Sequence, residues 1–325
     1  MMRFLLLSIF LVFSLAAEEK PLLERERFNA VFENDAFFRI DRWYSVGVDL
    51  SLLYKFNDDS FHLPFLDHKN SISYLGFGLS LEMYTPASLS DPFPQPNDRP
   101  YAGWLYGSFA FHQSNAKRLD SLELQVGVVG PSSKAQQVQA VIHDHILGDD
   151  VKGWRYQLHD ELGVNLAYHH HERYPISLKK YESVFIPRIG GVLGDVRTEF
   201  DVGALYRVGV NIPKDYGQNF VMMPGLDSTI PAVDKGIERN KNHQGYYLQV
   251  QSDVRFVIRD MFLQGNTDGN SLSVNPYPLV FRLGGGIGGS YENYQLSLIY
   301  TVESKSFTQQ SKIHAYASLL FTYSF

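Results

Sequence analysis

Two short stretches of the chain carry side chains that are able to do chemistry, and the first is His143-Asp144-His145. A neutral imidazole near pH 7 can accept a proton from water during attack on an ester, which makes His143 a candidate general base. Most histidines on a helix surface have no catalytic role, and that alternative stays open. Asp149 and Asp150 follow closely. They would either orient the imidazole or be ordinary solvated residues after a helix.

The second stretch is the oxygen-rich run Glu33-Asn34-Asp35. Carboxylate and carbonyl oxygens are the ligands that Ca²⁺ prefers, so this run could supply part of a calcium site. An ordinary turn is the alternative. A run of three histidines from 169 to 171 raises the question of a second metal site. Only His169 and His171 could share a metal there, because adjacent strand residues point to opposite faces.

Several classes of function lose support from what the sequence lacks. There is no GxSxG elbow, no P-loop and no HExxH motif, which weakens serine-hydrolase, NTPase and zincin interpretations. The chain has 0 cysteines, which excludes disulfides and thiolate metal sites. A net charge of −6 gives no basic surface for nucleic acid, so no nucleic-acid partner is expected.

The elements that must position these residues are strands in nearly the whole chain. In residues 122–128, for example, Leu, Leu, Val and Val alternate with Glu, Gln and Gly. Many such segments reach ten or more residues and are bounded by aromatics, as in a membrane barrel with an apolar outer band. About twelve strands are predicted, near 27–34, 43–54, 72–84, 101–113, 119–129, 161–171, 183–193, 196–210, 246–258, 278–290, 293–303 and 314–325. The predicted fold is an all-β, antiparallel outer-membrane β-barrel, with an exported soluble β-sandwich as the alternative.

Two segments break the strand rhythm. Residues 132–147 place Val138, Val141, Ile142 and Ile146 at helical spacing and predict a short helix in an extracellular loop. Residues 213–242 are rich in Gly, Pro, Asp and Asn and predict a long irregular loop. An amphipathic helix is unusual in a barrel loop, which marks it as a place to look for function.

Both ends of the chain predict export to the outer membrane. Arg3, an apolar run over 4–15 and Ala16-Ala17 form the pattern of a secretory signal peptide. We therefore predict a signal peptide over 1–17 and a single barrel domain over 18–325. Phe325 ends an alternating strand, which resembles the terminal sequence that the barrel insertion machinery of Gram-negative bacteria reads. The predicted location is the outer membrane of such a bacterium, in contact with its lipids.

Three stretches in combination resemble the outer-membrane lipid A 3′-O-deacylase family. They are FENDAFFRIDRWYSVGVDL at 32–50, NDRPYAGWLYGS at 97–108 and VGPSSKAQQVQAVIHDHILGDDVKGWRYQLHDE at 129–161. The resemblance implies a twelve-stranded barrel and a calcium-dependent hydrolase that removes the 3′-linked acyloxyacyl group from lipid A of lipopolysaccharide. A porin or structural barrel, and an outer-membrane phospholipase A, are the alternative functions.

The resemblance also assigns catalytic residues. The family's Asn-Asp pair falls on Asn34 and Asp35, with Asp35 as a metal ligand, and its hydroxyl residue falls on Ser45. Its histidine falls on His143, four residues after a glutamine, and an alternative alignment places it on His145. Its acidic residue falls on Asp149, where some relatives have Glu and where Asp150 could substitute.

Substrate contacts follow from the same resemblance. The residues that it indicates as substrate-binding are Gln139, Trp154 and Gln157, with Arg99 as a replacement for basic residues that find no match after the third strand. One conflict remains. Strict alternation turns Ser45 into the barrel and Asn34 out of it, unless the strand bends at the rim.

Overall fold

The computed structural model describes residues 21–35, 42–57, 69–142, 151–218, 226, 228–236 and 244–325. The predicted signal peptide over 1–17 lies outside these residues. The described strands are β1 (Leu23–Asn34), β2 (Trp43–Phe56), β3 (Ile72–Thr85), β4 (Ala102–Ser114), β5 (Arg118–Val129), β6 (Glu161–Glu172), β7 (Tyr174–Ser177), β8 (Glu182–Gly194), β9 (Arg197–Val210), β10 (Gly245–Asp260), β11 (Leu279–Tyr291), β12 (Tyr294–Glu303) and β13 (His314–Ser324).

The strands form one closed antiparallel barrel. Neighbours in the chain pair with one another, β1 pairs with β13, and a β6–β8 ladder completes the ring. The short β7 continues β6 in the same register, because His171 lies opposite Arg188 and Tyr174 lies opposite Phe185. The thirteen segments therefore make twelve barrel strands, and the predicted fold is confirmed.

Alternation separates an apolar outer face from a polar inner one. On β10, Tyr246, Leu248 and Val250 are exposed, whereas Gln249 and Gln251 between and beside them are buried. The same pattern recurs around the wall, as expected for strands that meet lipid on one side. None of the helices in the described ranges is long and apolar enough to cross a membrane.

Buried ion pairs fill the barrel interior, and one of them crosses it from wall to wall. The Arg197 guanidinium on β9 lies 2.5 Å from the Glu82 carboxylate on β3, and five strand intervals separate these strands along the shorter way round. Arg255 pairs with Glu199 and with Glu303, each at 3.1 Å. Buried charges need such partners, because an unpaired charge is strongly disfavoured away from water. The interior at this level is filled by side chains.

The segment after β9 folds into the barrel from the end where β1 begins and β13 ends, which we call the terminal end. The Arg207 guanidinium lies 2.6 Å from Asp215, the Thr229 hydroxyl donates to Asn29 at 3.0 Å, and the Ser114 hydroxyl donates to the Pro231 carbonyl at 2.8 Å. The irregular loop predicted over 213–242 is thus found in its described part. It fills the interior at the terminal end.

The predicted helix over 132–147 is shorter in its described part and is divided. A 3₁₀ turn covers Pro131–Ser133, Lys134 adopts a left-handed backbone with φ of 64°, and helix α1 covers Ala135–Ile142. A second short helix, α2 (Met261–Gln264), follows β10. Helices α1 and α2 lie at the barrel end opposite the terminal end, and we call this end the helix end.

Candidate functional site on the outer barrel wall

Helix α1 lies against the outer surface of the barrel, and a glycine makes this contact possible. A Cβ atom built on Gly103 would lie 2.2 Å from the Ala135 Cβ and 2.3 Å from the Ser133 Oγ. The Gly130 N–H donates to the Gly103 carbonyl at 2.9 Å and fixes the chain as it leaves β5. Any side chain at 103 would therefore push α1 away from the wall.

An apolar cluster fills the space between α1 and the wall. Outward-facing Val46 and Met83 pack there with Ala135 of α1 and with Tyr101 and Trp154 of the adjoining loops. Partly buried apolar residues surround this cluster: Phe32, Val48, Leu89, Leu105, Val138 and Val151. At the helix end, α1 and the adjoining loops thus cover an apolar patch of the outer wall, and the residues around this patch stay partly exposed.

A β-bulge brings Ser45 to the same outer face. The β2–β3 register shifts between Tyr44 and Val46, so that Ser45 is an extra residue in the ladder. The Ser45 hydroxyl lies 2.6 Å from the Thr85 hydroxyl, and Thr85 follows Tyr84, which packs inside the barrel. A bulge reverses the alternation locally, and this resolves the conflict that strict alternation left between Ser45 and Asn34.

Asn34 and Asp35 end β1 beside this bulge. Asn34 lies opposite Val46 in the β1–β2 ladder and shares the outer face with Phe32. The Asp35 carboxylate accepts a hydrogen bond from the Arg42 N–H at 2.8 Å, and the Asp35 N–H donates to the Ser45 carbonyl at 3.4 Å. The exposed fractions of Asn34, Asp35 and Ser45 are 6%, 0% and 1%. The structure therefore brings these three predicted residues together in a covered position.

A hydrogen bond from Trp154 fixes the side chain of Gln139, a residue of α1. The Trp154 Nε1–H donates to the Gln139 Oε1 at 2.6 Å, and both side chains are buried. The Gln139 Nε2 atom is also buried, and among the described residues it has no hydrogen-bond partner. Because its oxygen is occupied, the amide presents its N–H₂ donor to the space beside it. Trp154 itself is closed off from solvent, and its ring packs on Tyr101 at 5.1 Å.

The remaining predicted substrate-binding residues lie at different depths. Gln157 is half-buried and follows the 3₁₀ turn of Trp154–Tyr156. Arg99 is 2% exposed and lies on the inner side, where its guanidinium is 4.2 Å from the centre of the Tyr84 ring. Burial lowers the pKa of Arg99, and the nearby Asp260 carboxylate opposes that effect. The structure therefore does not bring Arg99 to Asn34, Asp35 and Ser45.

Two predicted catalytic residues, His143 and Asp149, lie outside the described residues, as do the alternatives His145 and Asp150. The described part of α1 ends at Ile142, directly before His143. No group of three or more acidic, histidine or cysteine side chains suited to a metal occurs in the ranges that the structure describes. His169 is buried inside the barrel, where its Nε2 lies 3.2 Å from Asp201 in an ion-pair arrangement.

Sequence reasoning missed Thr85 and Gly103. A signal for Thr85 was present, since Tyr44-Ser45 and Tyr84-Thr85 are similar dipeptides at the ends of adjacent strands. Their tyrosine rings meet inside the barrel at 5.4 Å, while their hydroxyl groups meet outside. The signal for Gly103 was its place in YAGW, but the sequence does not show what the missing side chain would touch.

A protein-family model and one solved structure agree with this architecture. A protein-family model described as "Outer membrane protein LpxR" matches residues 4–325. The solved structure of LpxR from Salmonella typhimurium aligns with a TM-score of 0.74 at 20% identity, covering 92% of this chain and 100% of that one. The β domain of the Bordetella autotransporter BrkA aligns with a TM-score of 0.45 at 10% identity, covering 94% of this chain and 100% of that one. No curated protein sequence matches the chain.

Proposed function

Since the chain belongs to the LpxR family of outer membrane proteins, we propose that it is a lipid A 3′-O-deacylase. In this function it hydrolyses the ester of the 3′-linked acyloxyacyl group of lipid A. One observation supports the proposal: Asn34 and Ser45 lie on the outer wall beside Asp35, next to the apolar side chains that helix α1 covers. An amphiphile in the bilayer reaches such a position by lateral diffusion, without entering the barrel.

The proposed reaction is a general-base hydrolysis. Water attacks the ester carbonyl carbon and gives a proton to the His143 imidazole, and the 3′ oxygen takes that proton when the carbon–oxygen bond breaks. Asp149 orients the imidazole. Support for His143 comes from its spacing, because residues four apart share a helical face and His143 comes four residues after Gln139.

Asn34, Ser45 and Gln139 supply the neutral hydrogen-bonding groups. Asn34 and Ser45 would hold the attacking water or the ester, and the free Nε2 donor of Gln139 would stabilise the developing oxyanion. A donor of this kind contributes about 10²–10³ in rate when it is already aimed at the oxyanion. Trp154 would keep the donor aimed, since its N–H occupies the amide oxygen.

The donor atoms near Asp35 fit calcium. The carboxylate of Asp35, the amide of Asn34 and the hydroxyl of Ser45 are oxygen donors, which hard cations prefer, and the chain has 0 cysteines to favour a softer metal. Asp35 would hold the ion. Bound Ca²⁺ would polarise the ester carbonyl as a Lewis acid.

Mass spectrometry of lipid A from cells with and without the protein tests the proposal. We expect the protein to remove the mass of the acyloxyacyl group, and Ser45→Ala to reduce this loss strongly. Ser51→Ala is the matched control, because Ser51 is a buried serine of the same strand on the inner face. Identical lipid A masses with and without the protein would contradict the deacylase function.

The two alternative functions make different predictions. A porin needs an open lumen, whereas the Glu82–Arg197 pair crosses the interior and residues after β9 fill the terminal end. A phospholipase A would release fatty acid from phospholipid vesicles that lack lipid A. We expect no such release, and a release as fast as lipid A hydrolysis would favour the phospholipase.

A further inference from the structure

A second site, unrelated to the proposed deacylation, lies at the terminal end of the barrel. A cavity of about 700 Å³ opens there between the β7–β8 hairpin and the segment that follows β9. Four basic residues and two acidic ones line it: Arg173, Lys179, Lys180, Lys214, Glu182 and Asp234. Both acidic side chains already accept backbone hydrogen bonds, Glu182 from the Ile212 N–H at 2.9 Å and Asp234 from the Ala116 N–H at 3.0 Å. The cavity therefore has an excess of positive charge.

Arg173 is the basic residue of this cavity that most clearly needs an anion. Its side chain is half-buried, and its Nε atom is buried with no hydrogen-bond partner among the described residues. The hydrogen bond that Arg173 makes there is from its backbone N–H, which donates to the Lys117 carbonyl at 2.8 Å. The Asp215 and Glu182 carboxylates lie near the guanidinium, but no described group accepts a hydrogen bond from its Nε, and a phosphate matches its planar set of donors.

The cavity is continuous with an apolar groove on the outer wall. Tyr181 and Gly209 line both the cavity and the groove, and the groove continues over Leu248, Ile287 and Leu296. A free phosphate would use only the cavity. A phospholipid would use both, with its phosphate among the basic side chains and an acyl chain along the groove.

Bacterial barrels have their shorter turns on the periplasmic side. Between the described strands, the β4–β5, β7–β8 and β11–β12 turns at the terminal end are short and the long segment after β9 folds back into the barrel, whereas at the helix end the β8–β9 turn alone is short. We therefore assign the terminal end to the periplasm. We propose that the cavity binds the phosphate of an anionic phospholipid from the inner leaflet of the outer membrane. The hairpin tip with Lys179 and Lys180 would then lie among the lipid headgroups.

Native mass spectrometry of the full-length, detergent-solubilised and delipidated protein tests this site. Phosphatidylglycerol is titrated as the anionic probe and phosphatidylcholine as the zwitterionic one. Arg173→Met should weaken phosphatidylglycerol binding about tenfold or more, the ratio that corresponds to about 1.4 kcal/mol. Arg118→Met is the matched control, because Arg118 lies at the same end, is 52% exposed and pairs with Glu172 outside the cavity.

A second variant distinguishes a loss of phospholipid binding from a folding defect. Lys179→Gln with Lys180→Gln changes only the exposed hairpin tip, and it should weaken phosphatidylglycerol binding several-fold while the barrel stays folded. Binding should also fall as salt is raised, because screening weakens exposed charges. Equal retention of phosphatidylglycerol by all variants, or equal binding of phosphatidylcholine, would overturn the proposal. Displacement of phosphatidylglycerol by millimolar inorganic phosphate would overturn the assignment to a lipid.

Discussion

Helix α1 packs directly against Gly103, and the sharpest prediction is therefore the effect of Gly103→Ala on deacylation. The new Cβ would lie 2.2 Å from the Ala135 Cβ, whereas carbon atoms in contact are normally about 3.5–4.0 Å apart. The helix must therefore retreat by about 1.5 Å. Because a displacement of about 1 Å in a catalytic group can reduce a rate about 10²-fold, we expect deacylation to fall at least a hundredfold.

Gly107→Ala is the matched control for this substitution. Gly107 lies on the same strand and the same outer face, and the nearest atom to its new Cβ would be the Gly78 carbonyl oxygen at 3.9 Å. We expect wild-type activity from this variant. The assay is the initial rate of lipid A conversion in detergent micelles, followed by mass spectrometry, with barrel folding checked by heat-dependent migration in SDS gels.

The two variants together decide whether the contact matters. If Gly103→Ala keeps full activity in a folded barrel, activity does not depend on the close contact between α1 and Gly103, and our account of the site is wrong. If both variants lose activity equally, the effect belongs to any alanine on this strand rather than to the helix contact.

Four further predictions concern the groups around the site. Trp154→Phe keeps an aromatic ring but removes the indole N–H that orients the buried amide of Gln139, so we expect kcat to fall about tenfold with little change in KM; an unchanged kcat would show that catalysis does not need this orientation. His143→Ala should reduce deacylation by about 10²–10⁴, and His145→Ala far less, because two residues along a helix turn a side chain away by about 200°; the reverse order would identify the other histidine as the base. A calcium chelator should abolish activity and added Ca²⁺ should restore it, whereas full turnover in chelator would contradict the metal's role. The hydrogen bond to Asp268 raises the pKa of His159, whereas the pKa of Asp268 is lowered first by the hydrogen bond from the Asn270 N–H and then by the one to His159; the contact between the two loops is therefore lost as pH rises through the histidine pKa or falls through the aspartate pKa. Asp268→Asn should lower the His159 pKa in an NMR titration, and an unchanged value would show that the pair does not form.

The barrel could be predicted from the sequence because alternation is a local property. Twelve strands and their two faces follow from the period of two, and the ends of β2 and β5 differ from the expected ones by at most two residues. Even the interruption between β6 and β7 changes no face, since the register continues across Arg173.

The outer-wall site could be predicted only in part. The bulge at Ser45 adds one residue without any Gly or Pro to mark it, so alternation assigns Ser45 to the wrong face. The helix was expected over 132–147, but Lys134 adopts a left-handed backbone that separates the 3₁₀ turn from α1. The place of α1 on the wall depends on the close approach of Gly103 and Ala135, which lie far apart in the chain and come together only in the folded wall.

For the proposed deacylase, the position of Asn34 and Ser45 on the outer wall would determine which substrate concentration sets the rate. A site that faces the bilayer takes its substrate from a two-dimensional fluid, so its occupancy depends on the mole fraction of lipid A among the surrounding lipids. Diluting the whole suspension leaves that fraction unchanged, whereas adding inert lipid to the same membrane lowers it. The proposed deacylase would therefore have the kinetics of an interfacial enzyme, and its Michaelis constant would have meaning only in units of surface density.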